Sequence, residues 1–112
     1  MENPSAPIAE TRHGTLLGTL DDDCLTWRGI PYAAPPVGPL RWRAPQPPAP
    51  WQGIRVADTF SAASSQNSET CTQIAGGDPG RLSEECLYLN ICAPAARSGS
   101  LPVMVWLHGG GF

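Results

Sequence analysis

Short apolar stretches, each bounded by polar or turn-forming residues, are spaced along the chain. Residues 14–20 (GTLLGTL) and 24–30 (CLTWRGI) are rich in strand-favouring residues, and Asp21, Asp22 and Asp23 separate them. The pattern predicts a β-hairpin. A cation site is the alternative interpretation of three carboxylates, but adjacent turn residues cannot all converge on one ion, which favours a solvated turn.

Two further apolar stretches lie near the C-terminal end. Residues 86–91 (CLYLNI) alternate in polarity and predict a strand, whereas residues 103–107 (VMVWL) are continuously apolar. A continuous run is typical of a strand buried on both faces, as in a parallel sheet covered by helices. Cys24 lies in a predicted strand and Cys92 directly follows another, and both are interpreted as small buried hydrophobic residues.

The segment 31–50 holds most of the 13 prolines of the chain. Proline lacks an amide donor, which excludes a continuous helix or a central strand and predicts an ordered, extended connection. A solvated polyproline linker and a ligand for aromatic-grooved partner domains are the alternatives. The interspersed aromatics Tyr32, Trp42 and Trp51 argue against both, because such rings are usually buried against a scaffold.

Residues 59–85 are small and polar without periodicity, which predicts a long loop. Cys71 and Cys86 bracket 14 residues of it. A disulfide between them would tether the loop and stabilise the fold by roughly 3 kcal/mol in the chain-entropy model. Two independent reduced cysteines are the alternative, which the lack of a visible secretion signal favours.

Composition limits the classes of partner. The 112 residues carry a net charge of -3, and the basic residues are scattered, so neither a nucleic-acid partner nor a basic membrane patch is expected. No apolar run approaches the roughly 20 residues that span a bilayer. Residues 1–10 predict a disordered tail without the features of a signal peptide. A cytoplasmic location follows as an expectation, or a secreted one if the true N-terminus differs.

The glycines after the predicted strand at 103–107 are the most informative feature of the sequence. His108 is followed by Gly109, Gly110 and Gly111. Without Cβ atoms, such a backbone can approach a ligand closely and direct its amides at negative charge. In acyl transfer this charge is the oxyanion of the tetrahedral intermediate. The dinucleotide and phosphate motifs G-x-G-x-x-G and G-x-x-x-x-G-K-[ST] are both absent.

Four motifs together resemble the N-terminal part of the type-B carboxylesterases, the family that includes the cholinesterases. They occur in family order: RGIPYA at 28–33, PPVGPLRW at 35–42, SEECLYLN at 83–90 and VMVWLHGGGF at 103–112. The resemblance implies an α/β class, with residues 1–112 as the N-terminal portion of one α/β-hydrolase domain, incomplete as it stands. It also implies hydrolysis of small-molecule carboxylic esters by a serine nucleophile through an acyl-enzyme.

The resemblance also assigns roles to particular residues. It implies that the backbone amides of Gly110 and Gly111 donate hydrogen bonds in the oxyanion hole. It also implies that Cys71 and Cys86 form a disulfide. A structural ion pair is implied between Arg41 and Glu84. The nucleophile of such enzymes lies on a G-x-S-x-G elbow. This motif is absent from the 112 residues, so the chain by itself is expected to be inactive.

The two histidines are not interpreted as catalytic. His108 precedes the position of the nucleophile, whereas the triad order of this fold places histidine after it, so a loop-shaping role is expected. His13 is interpreted as an exposed polar residue. The segment between Cys71 and Cys86 contains no tryptophan to bind a quaternary ammonium group, so a choline ester is not the expected substrate.

Neither a cofactor nor a metal is implied, and the oligomeric state is left open. A non-catalytic relative is the alternative function, because the family also contains adhesion proteins that have lost the serine. The intact HGGGF sequence and the missing secretion signal favour the enzyme. A stand-alone proline-rich interaction module is a further alternative.

Overall fold

The computed structural model describes residues 6–74 and 77–110. Strands predominate in it, and they form two three-stranded sheets. The elements in chain order are β1 Ile8–Thr11, β2 Gly14–Leu17, β3 Thr19–Asp21, β4 Cys24–Pro31, β5 Ile54–Val56, α1 Ser68–Ile74 and β6 Tyr88–Pro94, with a 3₁₀ turn at Gly38–Leu40 between β4 and β5.

Sheet I has the strand order β1-β2-β5. The β1 and β2 strands are antiparallel, and β5 joins β2 in parallel. The prediction of a disordered tail over residues 1–10 is therefore wrong for residues 8–10, which the ladder with β2 holds in β1. The amide of Gly18 also donates to the carbonyl oxygen of Pro7 at 2.8 Å, so backbone hydrogen bonds extend to the start of β1.

Sheet II has the order β3-β4-β6 and is antiparallel throughout. The predicted hairpin is confirmed for β3 and β4, where Asp21 pairs with Cys24 across the turn. It does not extend over all of residues 14–20, since β2 lies in the other sheet. Residues 86–91 were predicted as a strand, and the observed strand β6 begins at Tyr88 and continues to Pro94.

The chain passes from one sheet to the other at Gly18, between β2 and β3. Ala57, directly after β5, ties the sheets together: its amide donates to Leu17 in sheet I, and its carbonyl accepts from the amide of Arg28 in sheet II. The buried core lies between these strands and consists of Leu16, Trp27, Ile30 and Ala57. Burial of these apolar side chains is the main contribution that holds the two sheets together.

The proline-rich segment lacks regular structure except for the 3₁₀ turn, as its missing amide donors predict. The expectation that its aromatic rings are buried holds only in part. Trp51 packs against the core and donates from Nε1 to the Thr15 carbonyl oxygen at 2.9 Å. Tyr32 is half exposed and Trp42 is 92 % exposed, because the described residues place no scaffold over either ring.

The predicted long loop at 59–85 contains the short helix α1. The side chain of Asn67 caps this helix by accepting a hydrogen bond from the amide of Thr70 at 3.0 Å. Seven residues form only two turns, which is too short for an apolar periodicity to be visible in the sequence. In the described part of the chain, no helix has the length and apolar character needed to cross a membrane.

Candidate functional site

Residues 103–107 do not form the buried strand that their sequence predicts. The structure assigns them no strand, and their side chains are between 78 % and 91 % exposed. A strand of this kind requires neighbours on both edges and both faces. Within the described residues nothing pairs with this segment, so its apolar character remains unsatisfied.

The glycine-rich loop follows this exposed segment. Gly110 has a φ of +155°, within the range that favours glycine, and no atom lies within 4 Å of the position a Cβ would occupy. Its conformation, and not crowding, therefore accounts for glycine at this position. Gly111, the second predicted oxyanion-hole donor, lies outside the described residues.

His108 interacts locally within the same loop. Its Nδ1 lies 2.8 Å from the carbonyl oxygen of Gly109, and the side chain is exposed. This contact agrees with a role in shaping the loop. His13 takes part in the turn between β1 and β2 through its backbone, where its carbonyl oxygen accepts a hydrogen bond from the amide of Trp51.

The ion pair implied by the family resemblance is present in the structure. Arg41 Nε lies 2.8 Å from Glu84 Oε1, and both side chains are about half exposed. The Arg41 guanidinium also lies 5.8 Å from the centre of the Trp42 ring. Because solvent screens exposed pairs, the pair contributes no more than about 1 kcal/mol to stability. Its structural consequence is to connect the proline-rich segment to the segment that precedes β6.

The implied disulfide between Cys71 and Cys86 is not formed. All four cysteines are free thiols. Cys71 lies in α1, and its Sγ donates a hydrogen bond to Oε1 of Gln66 at 2.8 Å. Helix α1 thus directs this thiol towards the preceding loop, which leaves Cys86 without a sulfur partner.

A contact that the sequence analysis did not predict connects two of the four motifs. The register between β4 and β6 shifts between Trp27 and Ile30, so that Arg28 and Gly29 lie opposite the single residue Asn90. Gly29 has a φ of +70°, and its amide donates to Oδ1 of Asn90 at 3.0 Å. The side chain thus replaces the ladder bond that the bulge removes. A glycine inside a strand pattern is the sequence signal that could have revealed this bulge.

Polar side chains on sheet II form a second network. Arg28 donates to the Asp21 carboxylate at 2.6 Å, and Thr26 donates to the same oxygen at 2.9 Å. The hydrogen bond from Arg28 is the main reason why the pKa of Asp21 is lowered below 3.8. Arg28 also lies 5.3 Å from the centre of the Phe60 ring. The network fixes the hairpin to the segment after β5.

Tyr88, the first residue of β6, is held by a neighbouring carboxylate. Its hydroxyl donates to Oε1 of Glu85 at 2.6 Å, and this hydrogen bond to the neutral phenol raises the pKa of Tyr88 above 10.0. Together with the ion pair of Glu84, it anchors the SEECLYLN motif at both acidic residues. The described residues contain no group of three or more His, Cys, Asp or Glu side chains that could hold a metal ion.

Comparison with known proteins assigns this arrangement to a family. Residues 5–112 match the profile of the carboxylesterase family. This match spans nearly all of the sequence, and the chain therefore belongs to the carboxylesterase family. The exposed segment at 103–107 and the glycine loop both lie inside the matched region.

Individual relatives are named as hydrolases. The chain is 48% identical over 108 residues to phenmedipham hydrolase of Pseudarthrobacter oxydans, covering 94% of this chain and 22% of the relative. It is 42% identical over 105 residues to para-nitrobenzyl esterase of Bacillus subtilis (strain 168), covering 94% of this chain and 21% of that protein. The chain thus spans about a fifth of the length of the curated relatives it matches.

Solved esterase structures have the same fold over this region. The chain superimposes on a thermophilic PNB esterase with a TM-score of 0.88 and 41% sequence identity, covering 96% of this chain and 22% of that structure. A second PNB esterase gives a TM-score of 0.82 at 41% identity, with 94% and 20% covered. These neighbours are esterases of the α/β-hydrolase fold, of which the two small sheets form one part.

Proposed function

We propose that the protein hydrolyses small-molecule carboxylic esters through a serine acyl-enzyme, and that this chain supplies the oxyanion loop. The observation that carries the proposal is the match to a named hydrolase and to esterases over 94% to 96% of the chain, at 41% to 48% identity, with a fold shared with a solved esterase. Residues 1–112 are, in this proposal, the N-terminal part of a single carboxylesterase domain.

In the proposed reaction, the serine oxygen attacks the ester carbonyl carbon while a histidine removes its proton. Negative charge then develops on the former carbonyl oxygen. The amides of Gly110 and Gly111 donate hydrogen bonds to this oxygen, and one such donor typically accounts for roughly 2.7–4 kcal/mol of the activation barrier. Glycine at position 110 supports this role, because residues with a side chain rarely adopt its φ of +155° and because the backbone there carries no Cβ that would block an approaching substrate.

The residues of this chain supply neither nucleophile nor base in this proposal. The sequence has no G-x-S-x-G elbow, and its two histidines are assigned to turn and loop positions. Without a nucleophile no covalent acyl intermediate forms. The 112 residues alone should therefore show no esterase activity, whereas a longer polypeptide that carries the triad should be active.

The names of the relatives indicate several different esters. They include para-nitrobenzyl esterase of Bacillus subtilis (strain 168), fumonisin B1 esterase of Sphingopyxis macrogoltabida and cocaine esterase of Homo sapiens. We propose broad specificity for small carboxylic esters. The absence of tryptophan between Cys71 and Cys86 supports the exclusion of choline esters.

Turnover of a p-nitrophenyl ester by the protein tests the proposal, with Gly110→Ala as the diagnostic variant. A methyl group at this position perturbs the donor amide, and kcat should fall by about 10²–10³-fold with little change in KM. Gly99→Ala is the matched control, because Gly99 also has a positive φ with open space around it but lies outside the loop.

The control should retain the wild-type kcat. If the unmodified protein with a complete triad fails to hydrolyse any p-nitrophenyl ester, the family member is non-catalytic and the proposal is wrong. If hydrolysis occurs but Gly110→Ala and Gly99→Ala behave alike, the assignment of the oxyanion loop is wrong while the esterase assignment stands.

A further inference from the structure

Cys24 and Cys92 are brought together by the pairing of β4 with β6, although 67 residues separate them in the sequence. Cys24 pairs with Pro94 across the ladder, and Cys92 pairs with Thr26. Directly opposed residues share a face of an antiparallel sheet, and residues two apart on one strand share it as well. The two thiols are therefore diagonal neighbours on one face of sheet II.

This face of the sheet is the one that points away from the core. The flanking residues Leu25 and Ala93 pack against the core cluster, so Cys24 and Cys92 lie on the opposite side. Cys92 is exposed and Cys24 is half-buried. The sequence-based interpretation of both as buried hydrophobic residues is thus wrong for Cys92, because β6 presents that side chain to solvent.

The neighbouring thiol also affects the protonation of Cys24. A hydrogen bond with Cys92 is the largest cause that raises the pKa of Cys24 above 9.0, and the negative charges of Asp23 and Asp22 act in the same direction. Cys24 consequently keeps its proton. Cys92, at the solvent-exposed side of the pair, is the sulfur that a dissolved reagent reaches first.

We propose that Cys24 and Cys92 form a dithiol modification site that a hydroperoxide oxidises to a cross-strand disulfide. The Cys92 thiolate donates an electron pair to one peroxide oxygen, the O–O bond breaks, and a sulfenic acid and hydroxide result. Cys24 then attacks the Cys92 sulfur, loses its proton to the hydroxide released in the first step, and expels the sulfenic oxygen as hydroxide, which a solvent proton converts to water. Overall, two thiols and one hydrogen peroxide give one disulfide and two waters.

The strand geometry allows this bond with a small adjustment. Diagonal neighbours in a sheet have Cα atoms about 7–8 Å apart, whereas disulfides join Cα atoms about 4.4–6.8 Å apart. Cys24 is the first residue of β4, and Cys92 lies two residues before the end of β6. The adjustment therefore falls at the end of the ladder beside the β3–β4 turn, where the amide of Ala95 still donates to the carbonyl oxygen of Asp23 at 2.7 Å.

Peptide mapping under non-reducing conditions after treatment with dilute hydrogen peroxide tests the proposal in the complete protein. We expect a linked peptide pair containing Cys24 and Cys92, two hydrogen masses lighter than the sum of its parts, with free thiol lost equally at both positions. Reduction with dithiothreitol should regenerate both thiols. Cys71→Ser is the matched control, because Cys71 lies in a different element, and it should retain the linked pair.

The variant Cys24→Ser tests whether Cys92 is oxidised before Cys24 attacks it. In Cys24→Ser, Cys92 has no resolving thiol, so the same treatment should convert it to the sulfinic acid, visible as the addition of two oxygens. The proposal is overturned if the peroxide-treated wild-type protein accumulates sulfinic acid at Cys92 without a linked pair, if both thiols survive the treatment, or if Cys92 pairs with another cysteine. Each of these results comes from the wild-type protein and does not depend on how well a variant folds.

Discussion

Gly18 is the position where a single methyl group should disturb the fold most clearly. It lies where the chain passes from sheet I to sheet II, and it is buried. A Cβ on this residue would overlap the carbonyl oxygen of Thr26 and would lie 2.7 Å from Cδ1 of the Trp27 ring. Real Cβ atoms almost never approach other atoms more closely than 3.0 Å, so Gly18→Ala requires a shift of the surrounding structure.

The loss in the free energy of unfolding depends on whether the atoms around the new Cβ can move away. The Thr26 oxygen belongs to the backbone of the central strand β4 and cannot rotate away, and the Trp27 side chain is only 6 % exposed, as part of the core. Overpacking of this kind typically costs about 1–3 kcal/mol. Because both obstacles are held in place, we expect Gly18→Ala to lower the free energy of unfolding by about 3 kcal/mol, at the upper end of that range.

Urea unfolding of the purified protein, followed by tryptophan fluorescence, measures this loss. Gly53→Ala is the control, since Gly53 has a φ of +71° but nothing within 4 Å of its Cβ position. This control should lose only about 1 kcal/mol, the typical cost of a left-handed alanine. If Gly18→Ala is no less stable than Gly53→Ala, β3 and β4 do not approach each other as closely as described, and the reasoning fails.

Two further substitutions test the core and the polar network. Leu16→Ala should lower the free energy of unfolding by about 2–5 kcal/mol, because Leu16 is only 2 % exposed. The control Ile54→Ala, at a position that is 57 % exposed, should lower it clearly less. Equal losses of stability for the two variants in urea unfolding would contradict the assigned core. Asp21→Asn tests the ion pair with Arg28, which lowers the folded pKa of the carboxyl below 3.8. Because the folded pKa is the lower one, the pair stabilises the fold above about pH 4, and this contribution is lost as the pH falls through the folded pKa. The urea midpoint of wild type should therefore exceed that of Asp21→Asn at neutral pH and approach it in acid, and a difference independent of pH would contradict the assignment.

The sequence predicted those elements whose signals are local. The hairpin of β3 and β4 follows from two β-rich stretches around an aspartate turn. The absence of a long helix or a central strand within the proline-rich segment follows from its missing amide donors. The strand at β6 was also predicted, within a few residues at each end. In each case the determining physics acts between residues close in the chain.

Errors arose where the outcome depended on distant residues. Residues 8–10 look like part of a polar tail, yet β2 recruits them into a sheet. Residues 103–107 have the composition of a buried strand, but they are exposed in this chain, which spans about a fifth of the length of its relatives and in which no described residue pairs with them. The helix α1 depends on a cap by Asn67 that is invisible to periodicity.

The candidate site likewise has features that the sequence predicted and features that depend on residues far apart in the chain. The glycine loop at His108–Gly110 was recognisable from the sequence, because the lack of side chains is itself the functional property. The contact of Asn90 with Gly29 and the meeting of Cys24 with Cys92 were not, because each depends on the register between β4 and β6. A register is set by the hydrophobic pattern of both strands and by the position of the bulge, so no single segment contains it.

The amino-acid sequence by itself determined the family of this protein, the turn of its hairpin and the residue types available at its glycine loop. Only the tertiary structure decided which strands share a sheet, which cysteines meet and which aromatic rings are covered. The physical reason is that propensity and backbone chemistry act over a few residues, whereas strand pairing and burial depend on the free energy of contacts between segments far apart in the chain.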